Sequence, residues 1–180
     1  KGQFLMQLYT TTPTGADGNY NLTFVPGVMT INKAALTVTA NDNSKTYNGL
    51  AYSGGAGVSY SGFQNGETSA VLGGTLAYGG ASQGAITAGS YAITPSGLTA
   101  SNYAITYANG SLTVAKANAT VTAASDTYIY NGQARSASGF SASGLVHGET
   151  IAVLSGVSVS GGGTGAGTYA TTASGTDSNY

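Results

Sequence analysis

The chain is 180 residues long, its formal net charge is −1, and charged residues make up only 6% of it. Nucleic-acid binding requires clustered cations, so the five Lys and Arg residues indicate no nucleic-acid partner. The absence of cysteine excludes disulfides and thiolate metal sites, and no apolar stretch approaches the ~20 residues of a membrane span.

Residues 1–32 are predicted to be the C-terminal strands of a preceding repeat. Asn19–Gly49 matches Asn102–Gly132 without a gap, 83 residues further along, and self-similarity at a fixed period marks a repeat array. Tyr9–Tyr20 aligns with the last twelve residues of the chain, whereas Lys1–Leu8 departs from the repeat pattern.

Residues 33–115 are predicted to be one complete repeat, a small and mostly β domain of about seven short strands. In ALTVTA, Leu36, Val38 and Ala40 alternate with threonines, which is the period-two pattern of a half-buried strand. Further strands are predicted from SYAIT, NYAITY and SLTV, with turns at YNG, SGG and PSG. A unit of this size buries roughly 60% of its unfolded surface, so we expect it to fold alone.

Residues 116–180 are predicted to be a repeat domain lacking its last strands. NATVTAA repeats the strand pattern, with Ala119, Val121 and Ala123 on one face. Little more than AKAN separates this strand from the last strand of the first repeat, and the lack of a flexible linker predicts a stiff rod. Either a longer natural chain supplies the missing strands, which the tandem pattern favours, or Asn19–Ile31 of a second copy adds them.

One short helix per repeat is predicted from GETSAVLGG (Gly66–Gly74) and GETIAVLSG (Gly148–Gly156). In each, an acidic residue would lie at the positive N-terminal end of the helix, and glycine would close the other end. The predicted fold class is mostly β: tandem small β domains, Ig-like sandwich or β-grasp-like, arranged as a rod.

No catalytic, cofactor-binding or metal-binding residue is predicted, and we expect no enzyme and no cofactor. His147 is the only histidine and takes a turn position where the other repeat has Asn65, so a surface turn residue is favoured over a general base. The six carboxylates stand singly, unlike those of a calcium loop. Asp42 and Asp126 could hold an ion near the start of each repeat, but turn-capping roles are favoured.

Aromatic side chains could form a carbohydrate platform, but aromatic residues on strands are more often core or cross-strand partners. The two repeats share no single aromatic patch, because three aromatic residues align with smaller ones: Tyr60 with Ala142, Phe63 with Leu145 and Tyr78 with Ser160. The platform candidates are Tyr107, Phe24, Tyr60, Phe63 and Phe140. Glycosylation sequons begin at Asn21, Asn109 and Asn118, and chance explains them about as well as glycosylation does.

Three segments, ALTVTANDNSKTYNG, GFQNGETSAVLGG and AGSYAITPSGLTASNYAITYANGSLTVAKA, resemble the tandem MBG/YDG-type repeats of very large bacterial surface adhesins. These include filamentous-haemagglutinin-like exoproteins and biofilm matrix adhesins of Gram-negative bacteria, and the resemblance covers about Tyr9–Tyr180. It implies an extracellular stalk at the bacterial cell surface, which projects a distal binding region for adhesion or biofilm formation. Its partners would be the neighbouring repeats of the same chain.

The alternative function is a repeat binding module in which each unit weakly engages polysaccharide or other copies of the protein. Affinity would then grow with the number of repeats. The lack of a shared aromatic patch favours the spacer.

Overall fold

The structure, a computed structural model, describes residues 10–11, 15, 18–19 and 21–180. The segment Lys1–Leu8, which departs from the repeat pattern, lies outside the described residues. The N-terminal part contains a short antiparallel pair, β1 (Thr10–Thr11) and β2 (Gly27–Val28). Residues 21–33 are all exposed.

Seven strands and one 3₁₀ turn lie within the predicted central repeat, residues 33–115. In chain order these are β3 (Ala34–Ala40), β4 (Asn43–Thr46), β5 (Val58–Ser61), the 3₁₀ turn Ser69–Val71, β6 (Gly73–Gly79), β7 (Gly89–Thr99), β8 (Tyr103–Ala108) and β9 (Gly110–Ala115). One sheet has the order β5-β3-β8 and the other the order β4-β9-β7-β6. In each sheet an early strand runs parallel to a late one, because β3 pairs with β8 and β4 with β9. The predicted mostly β fold is confirmed.

The core follows the predicted alternation. Leu36, Val38 and Ala40 on β3 are buried, while the threonines between them are half-buried. Burying a Leu or Val side chain contributes roughly 1.5–3 kcal/mol. One core cluster surrounds Leu36, Val38 and Tyr103, and the second contains Ala40, Tyr47, Ala85, Ile93, Leu112, Val114 and Ala117.

The predicted short helices are single 3₁₀ turns, and their ends differ from the prediction. The first turn has Thr68 as its N-cap, with the side chain accepting a hydrogen bond from the Ala70 N–H, and Leu72 as its C-cap. Glu67 precedes the cap, and its carboxylate accepts a hydrogen bond from Tyr103 instead of lying in the first turn. Glu67 therefore makes a tertiary hydrogen bond, whereas the local sequence pattern predicted that it would lie at the N-terminal end of a helix.

The predicted C-terminal repeat, residues 116–180, contains six short strands and a second 3₁₀ turn. They are β10 (Thr120–Ala123), β11 (Arg135–Ser136), β12 (Phe140–Ser143), the turn Ile151–Val153, β13 (Val157–Ser160), β14 (Gly162–Gly163) and β15 (Thr172–Gly175). β10 and β12 use the register of β3 and β5, since Thr120 is opposite Ser143 as Thr37 is opposite Ser61.

The inward residues of β10 are less buried than those of β3. Ala119, just before β10, and Val121 and Ala123 on it are only half-buried. Leu36 and Val38, the counterparts of Ala119 and Val121, pair with β8, and no strand among the described residues of 116–180 takes the place of β8.

Candidate functional site at the junction between the repeats

The junction is built around Tyr47, in the YNG motif that follows β4. Its backbone N–H donates to the carbonyl of Ala115 at 2.7 Å, which extends the pairing of β4 with β9 by one residue. Its side chain is only 5% exposed and belongs to the same core cluster as Leu112 and Val114. The ring is therefore fixed by the central repeat, while its hydroxyl reaches the next one.

Glu149 accepts hydrogen bonds from tyrosines of both repeats. The Tyr47 hydroxyl donates to Oε1, and the Tyr180 hydroxyl donates to Oε2. The Tyr180 oxygen also accepts the N–H of Val146 at 2.9 Å. The two tyrosine rings meet edge to face with their centroids 5.5 Å apart, a favourable aromatic geometry. One carboxylate thus joins the core of the central repeat to the C-terminal repeat.

These contacts shift the pKa of all three groups. The hydrogen bonds from Tyr180 and Tyr47 lower the pKa of Glu149. The hydrogen bond to Glu149, with burial as the second cause, raises the pKa of Tyr47 to about 12. For Tyr180 burial is the larger cause and the bond to Glu149 the second, and both raise its pKa. The junction therefore favours an ionised Glu149 and two neutral phenol donors.

Hydrogen bonds from backbone N–H groups to Asn179 and Asp177 close the junction around this cluster. The Oδ1 of Asn179 accepts the N–H of Ala88 at 2.9 Å, and its carbonyl accepts the N–H of Ala117 at 2.8 Å. Asp177 Oδ1 accepts the N–H groups of Asn179 and Tyr180 at 2.7 and 3.2 Å. This turn orients Tyr180, and Asn179 ties it directly to the central repeat.

The last residue of the YNG motif is a glycine for a steric reason. Gly49 has φ of +71°, and a Cβ there would lie 2.7 Å from the Cβ of His147. Glycine adopts this left-handed conformation without a steric cost. His147 itself lies in a turn, as predicted, with φ of 54° against 50° for its counterpart Asn65. The lone histidine is thus a packing residue of the junction.

The glutamate–tyrosine half of the cluster recurs inside the central repeat. Tyr103 donates to Glu67 as Tyr180 donates to Glu149, and its oxygen accepts the N–H of Gln64 at 3.0 Å. The bond to Glu67 is the largest cause of the raised pKa of Tyr103. Both repeats contain GET and NY, which is the sequence signal that could have identified this pair.

The two candidate ion-binding residues, Asp42 and Asp126, lie in different repeats. Asp42 Oδ1 accepts the N–H of Ser111 at 2.7 Å and so ties the turn after β3 to β9, whereas Asp126 lies in a cleft of the C-terminal repeat. The described residues contain no group of three or more His, Cys, Asp or Glu residues that could hold a metal ion. In the same part of the chain, no helix is long and apolar enough to cross a membrane.

Three of the five platform candidates pack into the central repeat. Tyr60, Phe63 and Tyr107 contact the cluster around Leu36, and the Tyr107 hydroxyl donates to the carbonyl of Leu98 at 3.0 Å. Phe24 is exposed, and Phe140 is half-buried. The sequon residues Asn21, Asn109 and Asn118 are exposed. Carbohydrate binding and glycosylation stay expectations.

The comparisons with known proteins identify one family. The family model described as MBG domain (YGX type) matches residues 36–113 and again residues 119–180. No curated protein and no solved structure matched the chain. Two successive matches confirm the predicted tandem MBG-type repeats, while the boundaries at 1–32, 33–115 and 116–180 stay predictions.

Proposed function

We propose that this chain, which belongs to the MBG domain family (YGX type), is a stalk or spacer segment of a secreted or surface-anchored bacterial adhesin. Its repeats project a distal binding region away from the cell for adhesion or biofilm formation. The spacer has its neighbouring repeats as partners and catalyses no reaction.

The observation that carries this proposal is the direct contact between repeats. A spacer keeps its two ends apart only if successive domains resist bending, because a flexible linker would let the ends approach each other. Here Tyr47, Glu149 and Tyr180 form one hydrogen-bonded cluster across the junction. Ala117, at the start of the C-terminal repeat, is buried in the same core cluster as Tyr47. The junction therefore behaves as a packed interface and not as a tether.

The surface composition is compatible with this role. Charged residues make up only 6% of the chain, and Gly accounts for 29 of its 180 residues. The exposed positions of β5 and β13 are serines, so these strands present a neutral polar face. Such a face offers no charged patch for steering a ligand, which fits a mechanical role better than recognition.

Small-angle X-ray scattering tests the proposal on polypeptides that carry two, three and four tandem units of this sequence. We expect an elongated particle whose maximum dimension grows by a constant step with each unit. The matched control inserts a flexible Gly-Ser linker between Ala115 and Lys116, which should broaden the distance distribution. Equal profiles with and without the linker would contradict a stiffening role for the native junction.

A further inference from the structure

Two tyrosines of different repeats meet at the junction with their hydroxyl ends together. The ring centroids of Tyr47 and Tyr180 are 5.5 Å apart, and the planes of the rings cross at 82°. Their hydroxyls donate to the two oxygens of one carboxylate, that of Glu149. The ring carbons beside each hydroxyl therefore lie close to the same carboxylate, which brings the reactive ends of the two phenols together.

This pairing of tyrosines is selective. The chain has 13 tyrosines, but among the described residues only Tyr47 and Tyr180 form a close ring contact with each other, because the other two ring contacts each include Phe63. The side chain of Tyr47 is only 5% exposed, so the tyrosines of other molecules do not reach its ring. A radical formed on Tyr47 therefore has the ring of Tyr180 as its coupling partner.

The fold of the C-terminal repeat holds Tyr180 in place. Its hydroxyl oxygen accepts the N–H of Val146 at 2.9 Å, as that of Tyr103 accepts the N–H of Gln64 at 3.0 Å. Each of these tyrosines also donates to the glutamate of its own GET motif. Tyr103 is the first residue of β8 and is 4% exposed. The contact with Tyr47 thus uses a tyrosine placement that recurs in the interior of the chain.

Glu149 is positioned to accept the proton of either phenol. A phenol that loses an electron becomes a strong acid and needs a proton acceptor within hydrogen-bond reach. The hydrogen bonds from Tyr180 and Tyr47 lower the pKa of Glu149, so its carboxylate is ionised at neutral pH. Its side chain is half-buried, so the proton can pass on to water. The other charged groups beside it are His147 and Asp177.

We propose that Tyr47 and Tyr180 are a site of oxidative cross-linking, at which a dityrosine bond joins the two repeats covalently. The co-reactant is a peroxide that acts through one-electron steps. Each phenol gives one electron to the oxidant and its hydroxyl proton to Glu149. The two phenoxyl radicals form one C–C bond between ring carbons beside their hydroxyls, and the hydrogens of these carbons then move to the phenoxyl oxygens. The chain loses two electrons and two protons, which reduce one hydrogen peroxide to two waters.

A dityrosine bond would give the junction a covalent connection that the composition otherwise excludes. The chain has no cysteine, so no disulfide can join the repeats. A link between residues 47 and 180 closes a long loop in the unfolded chain, and a cross-link of this kind stabilises the folded state as a disulfide does. The inference goes beyond the proposed spacer function, because it requires only the contact between the two rings.

Photo-oxidation of the dilute 180-residue chain with ruthenium tris(bipyridyl) and persulfate tests this proposal. Persulfate takes up the two electrons and becomes two sulfate ions, and gel filtration isolates the monomer. Trypsin cuts after lysine and arginine, so Tyr47 and Tyr180 fall in separate peptides, residues 46–116 and 136–180. We expect mass spectrometry to find these two peptides joined with the loss of two hydrogens, and the joined pair to show dityrosine fluorescence.

Single substitutions identify the two coupled rings. Tyr47→Phe and Tyr180→Phe should each lose the joined peptides, because phenylalanine forms no phenoxyl radical. The matched controls are Tyr130→Phe, at the same motif position, and Tyr169→Phe, in the same peptide as Tyr180. Both control side chains are exposed, and both variants should give the native yield. Absence of the joined peptides from the native chain, or their persistence in Tyr47→Phe or Tyr180→Phe, would overturn the proposal.

Glu149→Gln tests the proton transfer, because glutamine keeps the size of the side chain but takes no proton. We expect this variant to give less of the joined peptides than the native chain at neutral pH. The yield should recover as pH rises towards the phenol pKa, since an ionised phenol needs no proton acceptor. A native yield at neutral pH, or a low yield that does not recover at alkaline pH, would overturn the role of Glu149.

Discussion

Replacing Tyr47 with phenylalanine removes one hydroxyl from the junction and leaves the ring in place. The ring is buried among core residues, and its edge-to-face contact with Tyr180 needs no hydroxyl. What is lost is the hydrogen bond to Glu149. Hydrogen bonds to charged groups contribute about 1.5–3 kcal/mol. Because Glu149 keeps Tyr180 as a donor, we expect Tyr47→Phe to cost only about 1 kcal/mol of unfolding free energy.

Urea unfolding of the 180-residue chain, followed by circular dichroism, measures this cost. The midpoint should fall while the slope with denaturant stays constant, which marks a change in stability alone. Tyr130→Phe is the matched control, because it changes the same motif position at a 67% exposed side chain. Surface substitutions of this kind stay within about 0.5 kcal/mol.

A double-mutant cycle isolates the contact across the junction. In a chain that carries Glu149→Ala, the Tyr47 hydroxyl has lost its acceptor, so Tyr47→Phe should then cost almost nothing. Equal costs for Tyr47→Phe and Tyr130→Phe would contradict a stabilising contact across the junction. A cost of Tyr47→Phe that is the same with and without Glu149 would contradict it too.

Three further predictions concern pH, the core and independent folding. The lowered pKa of Glu149 contributes stability that is present above its unfolded pKa and is lost as pH falls through the folded pKa. The pKa of Tyr47, raised to about 12, contributes stability that is fully present below the pKa of an unfolded tyrosine and is lost as pH rises towards the folded pKa. Melting temperatures measured across pH should therefore fall at both the acidic and the alkaline extreme. Leu112→Ala at a fully buried site should cost about 2–5 kcal/mol in urea unfolding, whereas Leu50→Ala, at an exposed side chain, should change little. A polypeptide of residues 33–115 should melt cooperatively alone, and a featureless far-ultraviolet spectrum would contradict this.

Local alternation predicted β3, β8, β9, β10 and the first half of β7, whereas it did not locate β4, β5 and β6. Leu36 and Val38 occupy the inward face of β3, and Leu112 and Val114 that of β9, as the period-two pattern requires. The repeat also predicted that β10 would copy β3. The pattern did not predict that Val121 would be only half-buried. Burial depends on the neighbouring strand and not on the sequence of β10 itself.

The junction cluster was not predicted, because its members are distant in sequence. Tyr47 and Glu149 lie 102 residues apart, and no periodic pattern within one strand reports such a contact. The acidic residue of GET was assigned to a helix end by a local rule. In the structure, a tertiary hydrogen bond with the tyrosine of NY determines its role. Recurrence of both motifs in the two repeats was the available signal.

The proposed spacer function requires the junction to hold the two repeats in one fixed arrangement. The chain contains no cysteine, so spin labels attach only to cysteines that are introduced. Ser96→Cys on β7 and Ser158→Cys on β13 place one label on each repeat, both at exposed positions. Double electron–electron resonance then measures the distance between the repeats. We expect one narrow distance peak in the otherwise native chain and a broad distribution when Glu149→Ala is added. A broad distribution in the chain that keeps Tyr47, Glu149 and Tyr180 would contradict a fixed arrangement of the two repeats.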